Sequence, residues 1–592
     1  MSKILKHNQV NRVCRFICAI WQMSICFFWM IYSYIDMGFT EKVLLLMISA
    51  VSGVLLPTSL DFLNSLKLSV YKRVLLVLAV VYLTLATVGQ RGIIYPIASA
   101  ISIGRLTEVL ATAIWYIPII SSFIYGAKRV LSNTDSTRKE NKGLGVSNIV
   151  ILALILVIPM VIMLITFNPG IASYDTNLCL SIYAHDLRSM IDNQPFFYVL
   201  CLNMLISIWD STYFIVLVQI AWWTILWIRF FVLLNNNGLR TQIIYSLAVV
   251  LGINSANLFY VVTIWKDIPY TLCLIWITLI LIEVYNGRHD WNVAIGLFGS
   301  LSGICLFRYN GIVPYIMTIL GLIYIFVKRK SEAYKYLIAI ICSVLFVTIL
   351  NGPVKKAVGV EEDASQKGVM YVGLSQELFA AYKYGQVSDE TKHILQGLAH
   401  GNIDDYAYIP YWANAAYDLD VPVGEFVKCY IDSFIHNPGI MIKAMLVQHD
   451  LMWNIWPGEE SFVNLINYYG GWDGTDEWRQ YYPERRWTTF GRYIEGIVSY
   501  AGNNTALTIV FWRNGLHVAL LVLVLVTITI LNKQVLSGTL VMCIPMLGQI
   551  VSLILSTGWA DYRYYWSINN LVLLIIYVIF SNINRKEEFE AG

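Results

Sequence analysis

The chain has 592 residues, 57% hydrophobic and only 13% charged, with a mean hydropathy of +0.62 and a formal net charge of +3. Such a balance excludes a water-soluble globular class and leaves a polytopic, all-α membrane protein. A charge so near zero, with no basic recognition surface, also excludes nucleic acid as a partner.

Apolar runs long enough to cross a hydrocarbon layer of about 30 Å recur between short polar breaks. They predict about fourteen transmembrane helices, near 14–36, 43–59, 72–90, 108–126, 148–167, 212–234, 242–262, 268–285, 291–307, 311–328, 334–351, 515–531, 537–557 and 564–581. Lys3, Lys6, Arg12 and Arg15 flank the start of the first run, which is long and lacks a small-x-small cleavage site, so it reads as an uncleaved span. The loop GAKRVLSNTDSTRKENKG after the fourth span holds five basic residues against two acidic, and VKRKSEAYK at 327–335 is similar. Translocating Lys and Arg is disfavoured, so both loops and both termini are expected in the cytoplasm and NPGIASYDT, 168–176, outside.

Four regions follow in chain order: a four-span N-terminal part (1–147), a membrane core (148–351), a large extracytoplasmic domain (352–512), and a three-span C-terminal part with a cytoplasmic tail (513–592). The core's first outer loop, 167–211, carries Asp175, His185, Asp186, Arg188 and Asp192, and then the apolar piece NQPFFYVLCLNMLISIW. That piece is too short to cross, so it is expected to lie in the interface as a helix started by Pro195. The 352–512 domain has 20 acidic and 11 basic residues, net −9, which argues against gripping a polyanion by simple attraction. Within it, Asn437 and Pro438 predict a helix start, and the helix is expected near the membrane surface with Trp453 and Trp456 as interfacial anchors. The aromatic stretch YYGGWDGTDEWRQYYPERRW, 468–487, reads either as a loop over a ligand or as a membrane-skimming loop.

Seven of the ten cysteines (Cys14, Cys18, Cys26, Cys273, Cys305, Cys342, Cys543) sit in apolar runs and read as small buried hydrophobes, while Cys179, Cys201 and Cys429 fall outside with nothing to support a disulfide. His436, His449 and Asp450 lack a compact metal-ligand spacing, and Asn503 fits a glycosylation pattern that chance supplies as readily. No internal repeat is visible.

The chemistry concentrates at the outer ends of spans: Asp175 and Asp186 in the first loop, Lys266 and Asp267 in WKDIP, Arg308 in FRYNG, Asp561 and Arg563 in DYRYY. Ionisable groups cost about 2.5–3.5 kcal/mol each at a helix centre and less toward the ends, and cations outside oppose the usual bias. A phosphate held at that interface would offset the cost, because Lys and Arg form strong charge-assisted bonds to its oxygens. A polyprenyl-phosphate-linked sugar presents such a phosphate, and the phosphate is a good leaving group. Transfer then needs one carboxylate to take a proton from the acceptor hydroxyl, Asp175, and cations to hold the departing charge, Lys266, Arg308 and Arg563. Plainer roles stand beside these: Asp175 or Ser173 as a helix cap, Asp267 as an N-cap ahead of Pro269, Asp186 as a solvated side chain, Arg308 and Arg563 as snorkelling cations.

The order NPG, SYDT, NQPFFYVL, WKDIP, FRYNG and DYRYYW resembles the GT-C class of integral-membrane glycosyltransferases, in particular an uncharacterised bacterial branch related to the protein mannosyltransferases and the lipid A aminoarabinose transferases. The likeness covers roughly 148–330 and 430–580. It implies a GT-C-like core with a polyprenyl-phosphate sugar donor, Asp175 as base, and Lys266, Asp267, Arg308 and Arg563 as donor-site residues. The acidic pair common in that first loop is absent, Asn193-Gln194-Pro195 replaces the usual His-Pro-Pro, and four spans precede the core. These departures leave the base open between Asp175 and Asp186, leave a divalent cation open, and leave the role of the first spans undefined.

The expected activity is sugar transfer to a cell-surface glycan, lipid or protein on the outer face of a bacterial plasma membrane. A lipid-linked polysaccharide polymerase or ligase is the nearest alternative. A transporter or flippase is the alternative from another class, and its ionisable groups would sit near the bilayer midplane on broken helices.

Overall fold

The computed structural model describes residues 14–27, 30, 39–89, 94, 95, 97, 101–134, 143–167, 170, 171, 176, 179–329, 334–361, 372–399, 402–405, 421–456, 492–494, 496, 497, 500, 504–531, 533–558 and 561–582. The protein is all-helical, 85% helix with no strand among the described residues. In hydrocarbon every backbone N–H and C=O must find a partner within the chain, and a helix is the local solution for a single apolar run. Hydroxyls inside the runs bond back to the preceding turn, as Thr278 Oγ1 does to Leu274 O at 2.8 Å and Ser300 Oγ to Gly296 O at 2.7 Å.

The N-terminal helices are α1 (Cys14–Phe27), α2 (Phe39–Ser65), α3 (Val70–Val88) and α4 (Ile103–Thr134). Then come α5 (Val146–Thr166), α6 (Phe196–Ile208), α7 (Thr212–Asn236), α8 (Thr241–Ile253), α9 (Ser255–Val261), α10 (Asp267–Tyr285), α11 (Trp291–Phe307), α12 (Ile312–Arg329) and α13 (Tyr334–Ile349). The 352–512 segment contributes α14 (Val372–Tyr384), α15 (Asp389–Leu398), α16 (Val423–His436) and α17 (Pro438–Gln448). The chain ends with α18 (Gly515–Leu531), α19 (Lys533–Ser556) and α20 (Tyr562–Asn582).

Eight of these, α2–α5, α7, α10, α12 and α13, are long and apolar enough to cross a membrane, and α8 with α9 adds a ninth if a bent pair counts as one span. Helices of 10–17 residues, among them α1, α11 and α18, are apolar but shorter. The protein is therefore a polytopic membrane protein. Position α10 is the hub: 89% of its apolar window is buried inside the protein, against 17% for the window at α13, and it packs on α7, α11, α19 and α20. The N-terminal helices join the rest mainly through α3 against α18, where Lys72 Nζ donates to Ile530 O at 2.6 Å.

The interval read as one span at 242–262 is broken instead, bending by 62° between α8 and α9. Asn254 makes the break: its Oδ1 accepts from the amides of Ala256 (2.9 Å) and Asn257 (3.3 Å), capping a new helix within an apolar run. Asn257 is satisfied in turn, its Oδ1 accepting from Trp566 Nε1 at 2.9 Å. The short helix expected after Pro195 is present as α6, with Phe196, Tyr198, Val199 and Leu202 buried and Met204 and Ile208 exposed. Gly170, just past α5, has φ +128°, a conformation that glycine alone adopts without strain, and its amide donates to Phe167 O at 2.6 Å.

In the 352–512 segment, α14–α17 enclose Leu378, Phe379, Leu395, Phe426, Met441 and Ala444. This unit sits on the end of α19, where Gly373 meets the Leu555 backbone and Gln448 Nε2 bonds Thr557 O. Helix α17 begins at Pro438 as expected, but the Asn437 side chain does not cap it. Asn437 exchanges hydrogen bonds with the Gln386 backbone instead, at 3.0 and 2.6 Å. Nor do Trp453 and Trp456 stand out toward an interface: they are 7% and 8% exposed and pack into a core shared with α18. The aromatic stretch 468–487 and Asn503 lie outside the described residues. None of the ten cysteines, all of them described, is in a disulfide; Cys26, Cys273, Cys305 and Cys543 are buried as expected, as are Cys179 and Cys429, whereas Cys14 and Cys342 are exposed on the outside of their apolar helices.

Glu377 on α14 is 1% exposed, with Tyr430 Oη donating to one carboxylate oxygen. Burial raises its pKa from 4.5 to about 7, against the opposing pull of the Tyr430 bond. A raised carboxyl pKa favours the protonated fold, so stability falls as pH rises from 4.5 to about 7 and levels off above that. Glu377→Gln should therefore raise the melting temperature in detergent clearly at pH 8 and much less at pH 5; an equal shift at both would contradict the buried-carboxyl account.

Candidate functional site

Three chain segments bring charge to one end of the bundle: Trp265-Lys266-Asp267 at the start of α10, Arg308–Gly311 between α11 and α12, and Asp561–Arg563 at the start of α20. Arg308 Nη1 is ion-paired with Asp267 Oδ1, and the two side chains are 10% and 2% exposed. Arg563 Nε lies 3.2 Å from Asp561 Oδ2, with those side chains 9% and 6% exposed. Neither arginine snorkels to solvent. Burying a guanidinium demands a partner of opposite charge, and each has one.

Tyr564 joins the two pairs. Its ring centroid is 4.9 Å from the Arg308 guanidinium carbon and 4.6 Å from that of Arg563, and its hydroxyl accepts from Arg563 Nη2 at 2.6 Å. Tyr270 flanks Arg308 at 5.5 Å and Trp265 flanks Arg563 at 5.6 Å. Gln549 of α19 locks the frame by accepting from Tyr270 Oη and donating to Tyr564 O at 3.3 Å. Gly311 allows the turn after Arg308 to close, since a Cβ there would stand 1.9 Å from Ile304 O.

Lys266 Nζ donates to Gln194 Oε1 at 2.6 Å. Gln194 belongs to a strap, Met190–Gln194, that precedes α6. The strap is fixed by Tyr309 Oη, whose single proton is shared between the Asp192 carboxylate and Gln194 O, the latter at 2.7 Å, and by an ion pair between Asp192 and Lys355. Its backbone pairs with Glu361: Asp192 N donates to Glu361 O at 2.9 Å and Glu361 N to Met190 O at 3.1 Å.

The structure thus unites Asp267, Arg308 and Arg563, and places Lys266 next in chain to Asp267. Asp267 does not act as the N-cap its spacing predicted: it is the first residue of α10 and its carboxylate faces Arg308. Its Oδ2 is buried with no hydrogen-bond partner among the described residues. Asp186 stands apart. It is exposed, its Oδ1 accepts from Arg188 N at 3.0 Å to cap the turn Leu187–Ser189, and no described contact joins it to the four others. Asp175 lies outside the described residues. The chain on either side of it is tied to the segment leading into Lys266: Ile171 N donates to Val262 O at 3.0 Å, Ile264 N to Ile171 O at 2.9 Å, and the buried Thr176 hydroxyl bonds Ile264 O.

Asp192, Lys355, Tyr309 and Tyr564 are among the members without a role expected from the sequence, as are Gln194, Trp265, Tyr270 and Gln549. Tyr309 and Tyr564 directly follow the two arginines in FRYNG and DYRYYW, a repeated Arg-Tyr step that was the available signal. Asp267 and Asp561 are each engaged by an arginine, and among the described residues no group of three His, Cys, Asp or Glu has metal-binding placement.

A second buried polar group lies where the 352–512 segment meets α18 and α20. Arg513, fully buried, pairs with Asp450 at 2.9 Å, and His449 Nδ1 shares a hydrogen bond with Tyr565 Oη at 2.7 Å. Burial holds the His449 imidazole down at about 4, so it stays neutral in the fold. These contacts fasten the segment to the membrane core.

No family model matches the sequence, and no curated protein or solved structure matches it either.

Removing one partner of a buried ion pair leaves an uncompensated charge at a cost of about 3–5 kcal/mol. Asp267→Leu and Arg308→Met should each lower the melting temperature strongly, whereas the double variant should recover most of the loss. Additive losses in thermal unfolding would show that the two side chains do not depend on each other.

Proposed function

We propose that the protein is a membrane glycosyltransferase that takes a sugar from a polyprenyl-phosphate carrier and passes it to a cell-surface acceptor on the outer face of the membrane. One observation carries this reading: two buried arginines share a tyrosine ring at one end of the helix bundle, with a lysine next in chain to the aspartate that pairs with Arg308. Fixed guanidiniums beside aromatic rings suit a phosphate at the boundary between headgroups and hydrocarbon, because they supply oriented donors without reorganisation. Lys266, Arg308 and Arg563 hold the phosphate as negative charge builds on it. Asp267 and Asp561 hold the guanidiniums in place. Asp175 takes the proton of the acceptor hydroxyl, and the chain next to it is tied to the backbone two residues before Lys266 by the Thr176 hydroxyl. The exposed, turn-capping Asp186 is the weaker candidate for the base.

The order and spacing of the charged motifs support the same assignment through their resemblance to GT-C glycosyltransferases, and the polymerase or ligase reading shares this donor chemistry. The α8–α9 break favours a second reading, since transporters place ligands at interrupted helices. The break is capped by Asn254 and carries no ionisable residue, which weighs against it.

The test is transfer of labelled sugar from polyprenyl-phosphate donors to cell-envelope acceptors in native membranes. Asp175→Asn should cut the rate by about 100-fold or more while donor still binds, and Arg563→Gln should weaken both binding and turnover. Full activity in both variants would overturn the assignment.

A further inference from the structure

The strap Met190–Gln194 touches the proposed phosphate site without contributing a cation to it. Asp192 is its fixed point. One oxygen of its carboxylate accepts the Tyr309 hydroxyl and the other accepts Lys355, a bond between residues 163 positions apart in sequence. Both side chains of the ion pair are largely shielded, at 16% and 17% exposed. Through Tyr309 the same carboxylate holds the turn that begins with Arg308, and through Gln194, itself buried, the strap meets the Lys266 ammonium. The Glu361 backbone fixes the strap from the other side, where the chain leaves α13 for the 352–512 segment.

We propose that Asp192 is a positioning residue: it sets Lys266 and the Arg308 turn at one spacing, and Lys355 completes the clamp by neutralising the carboxylate. The proposal rests on the reading that Lys266 and Arg308 hold a lipid phosphate. The 2.6 Å bond from the Lys266 ammonium to the Gln194 side chain couples the lysine to the strap, and the strap's backbone is held by Tyr309 and Glu361, with Asp192 fixing Tyr309. A carboxylate that binds a tyrosine hydroxyl and an ammonium at once is poorly suited to serve as a base, which separates this role from that of Asp175.

The experiment uses the full chain in lipid nanodiscs and compares wild type with Asp192→Asn, Tyr309→Phe and the double variant. Two quantities are read: the rate at which an amine-acylating ester labels Lys266, followed by peptide mass spectrometry, and KM and kcat for a polyprenyl-phosphate sugar. Asp192→Asn should speed Lys266 labelling several-fold and raise KM several-fold with little change in kcat, and the double variant should add little beyond it. Tyr309→Phe, a milder change, should move both readouts in the same direction and carries the test if Asp192→Asn does not fold. Lys266 labelling that matches wild type in both variants overturns the proposal, as would fully additive effects. Labelling needs no turnover, so altered labelling in a protein whose wild type transfers no sugar would count against the donor reading and leave the strap's hold on Lys266 established.

Discussion

The burial of Arg308 and Arg563 is the constraint from which much of this structure follows. A guanidinium taken out of water needs a countercharge and donors' partners close by, and both must be rigid to be of use. Asp267, Asp561 and the ring of Tyr564 meet that need, and they come from the starts of two different helices. Once these groups are fixed, α10, α11, α19 and α20 have to converge at one end. The near-complete burial of α10 and the glycine at position 311 are consequences of that convergence. The other end of α10 repeats the device with Glu283, which accepts two bonds from Arg229 at 2.9 and 2.7 Å and has Arg288 at 3.3 Å. The central helix is thus pinned at both ends by carboxylate-arginine contacts, where hydrophobic packing alone gives little directional preference inside a bilayer.

The site is a composite of segments remote in sequence. Residues 190–194, 265–270, 308–311 and 561–566 meet there, and each is a loop or a helix end rather than a helix interior. Such an arrangement fixes the charged groups between helix ends, each shielded from solvent by its partner and by the neighbouring rings. The buried polar group around Arg513 and His449 then holds the 352–512 segment against the same frame.

Much of this was legible in the sequence. Helices fall where apolar runs do, because a run in hydrocarbon has few alternatives to helix, and the short α6 followed from its length and Pro195. The charged motifs were visible as well, since charge at span ends is conspicuous against so apolar a background. The break at Asn254 was not, because nothing in the run GINSANLF fixes whether the Asn254 side chain bonds within its own helix or turns to cap Ala256 and Asn257. Nor could Trp453 and Trp456 be distinguished from interfacial anchors without knowing that α18 packs over them. The ion pair of Asp192 with Lys355 depends on the fold entirely, and the shared ring of Tyr564 depends on two arginines separated by the whole 352–512 segment. Asp175, the base expected from the sequence, lies outside the described residues.

The central claim is that the Arg308–Tyr564–Arg563 group receives a lipid phosphate. The most direct measurement is photocrosslinking of a diazirine-bearing polyprenyl phosphate to the protein in nanodiscs, with crosslinks mapped by peptide mass spectrometry. Crosslinks at residues 265–270, 308–311 and 561–566 that weaken in Arg563→Gln are the result the account predicts. Crosslinks confined to the lipid-facing sides of α2, α4 and α13, unaffected by Arg563→Gln, would contradict it.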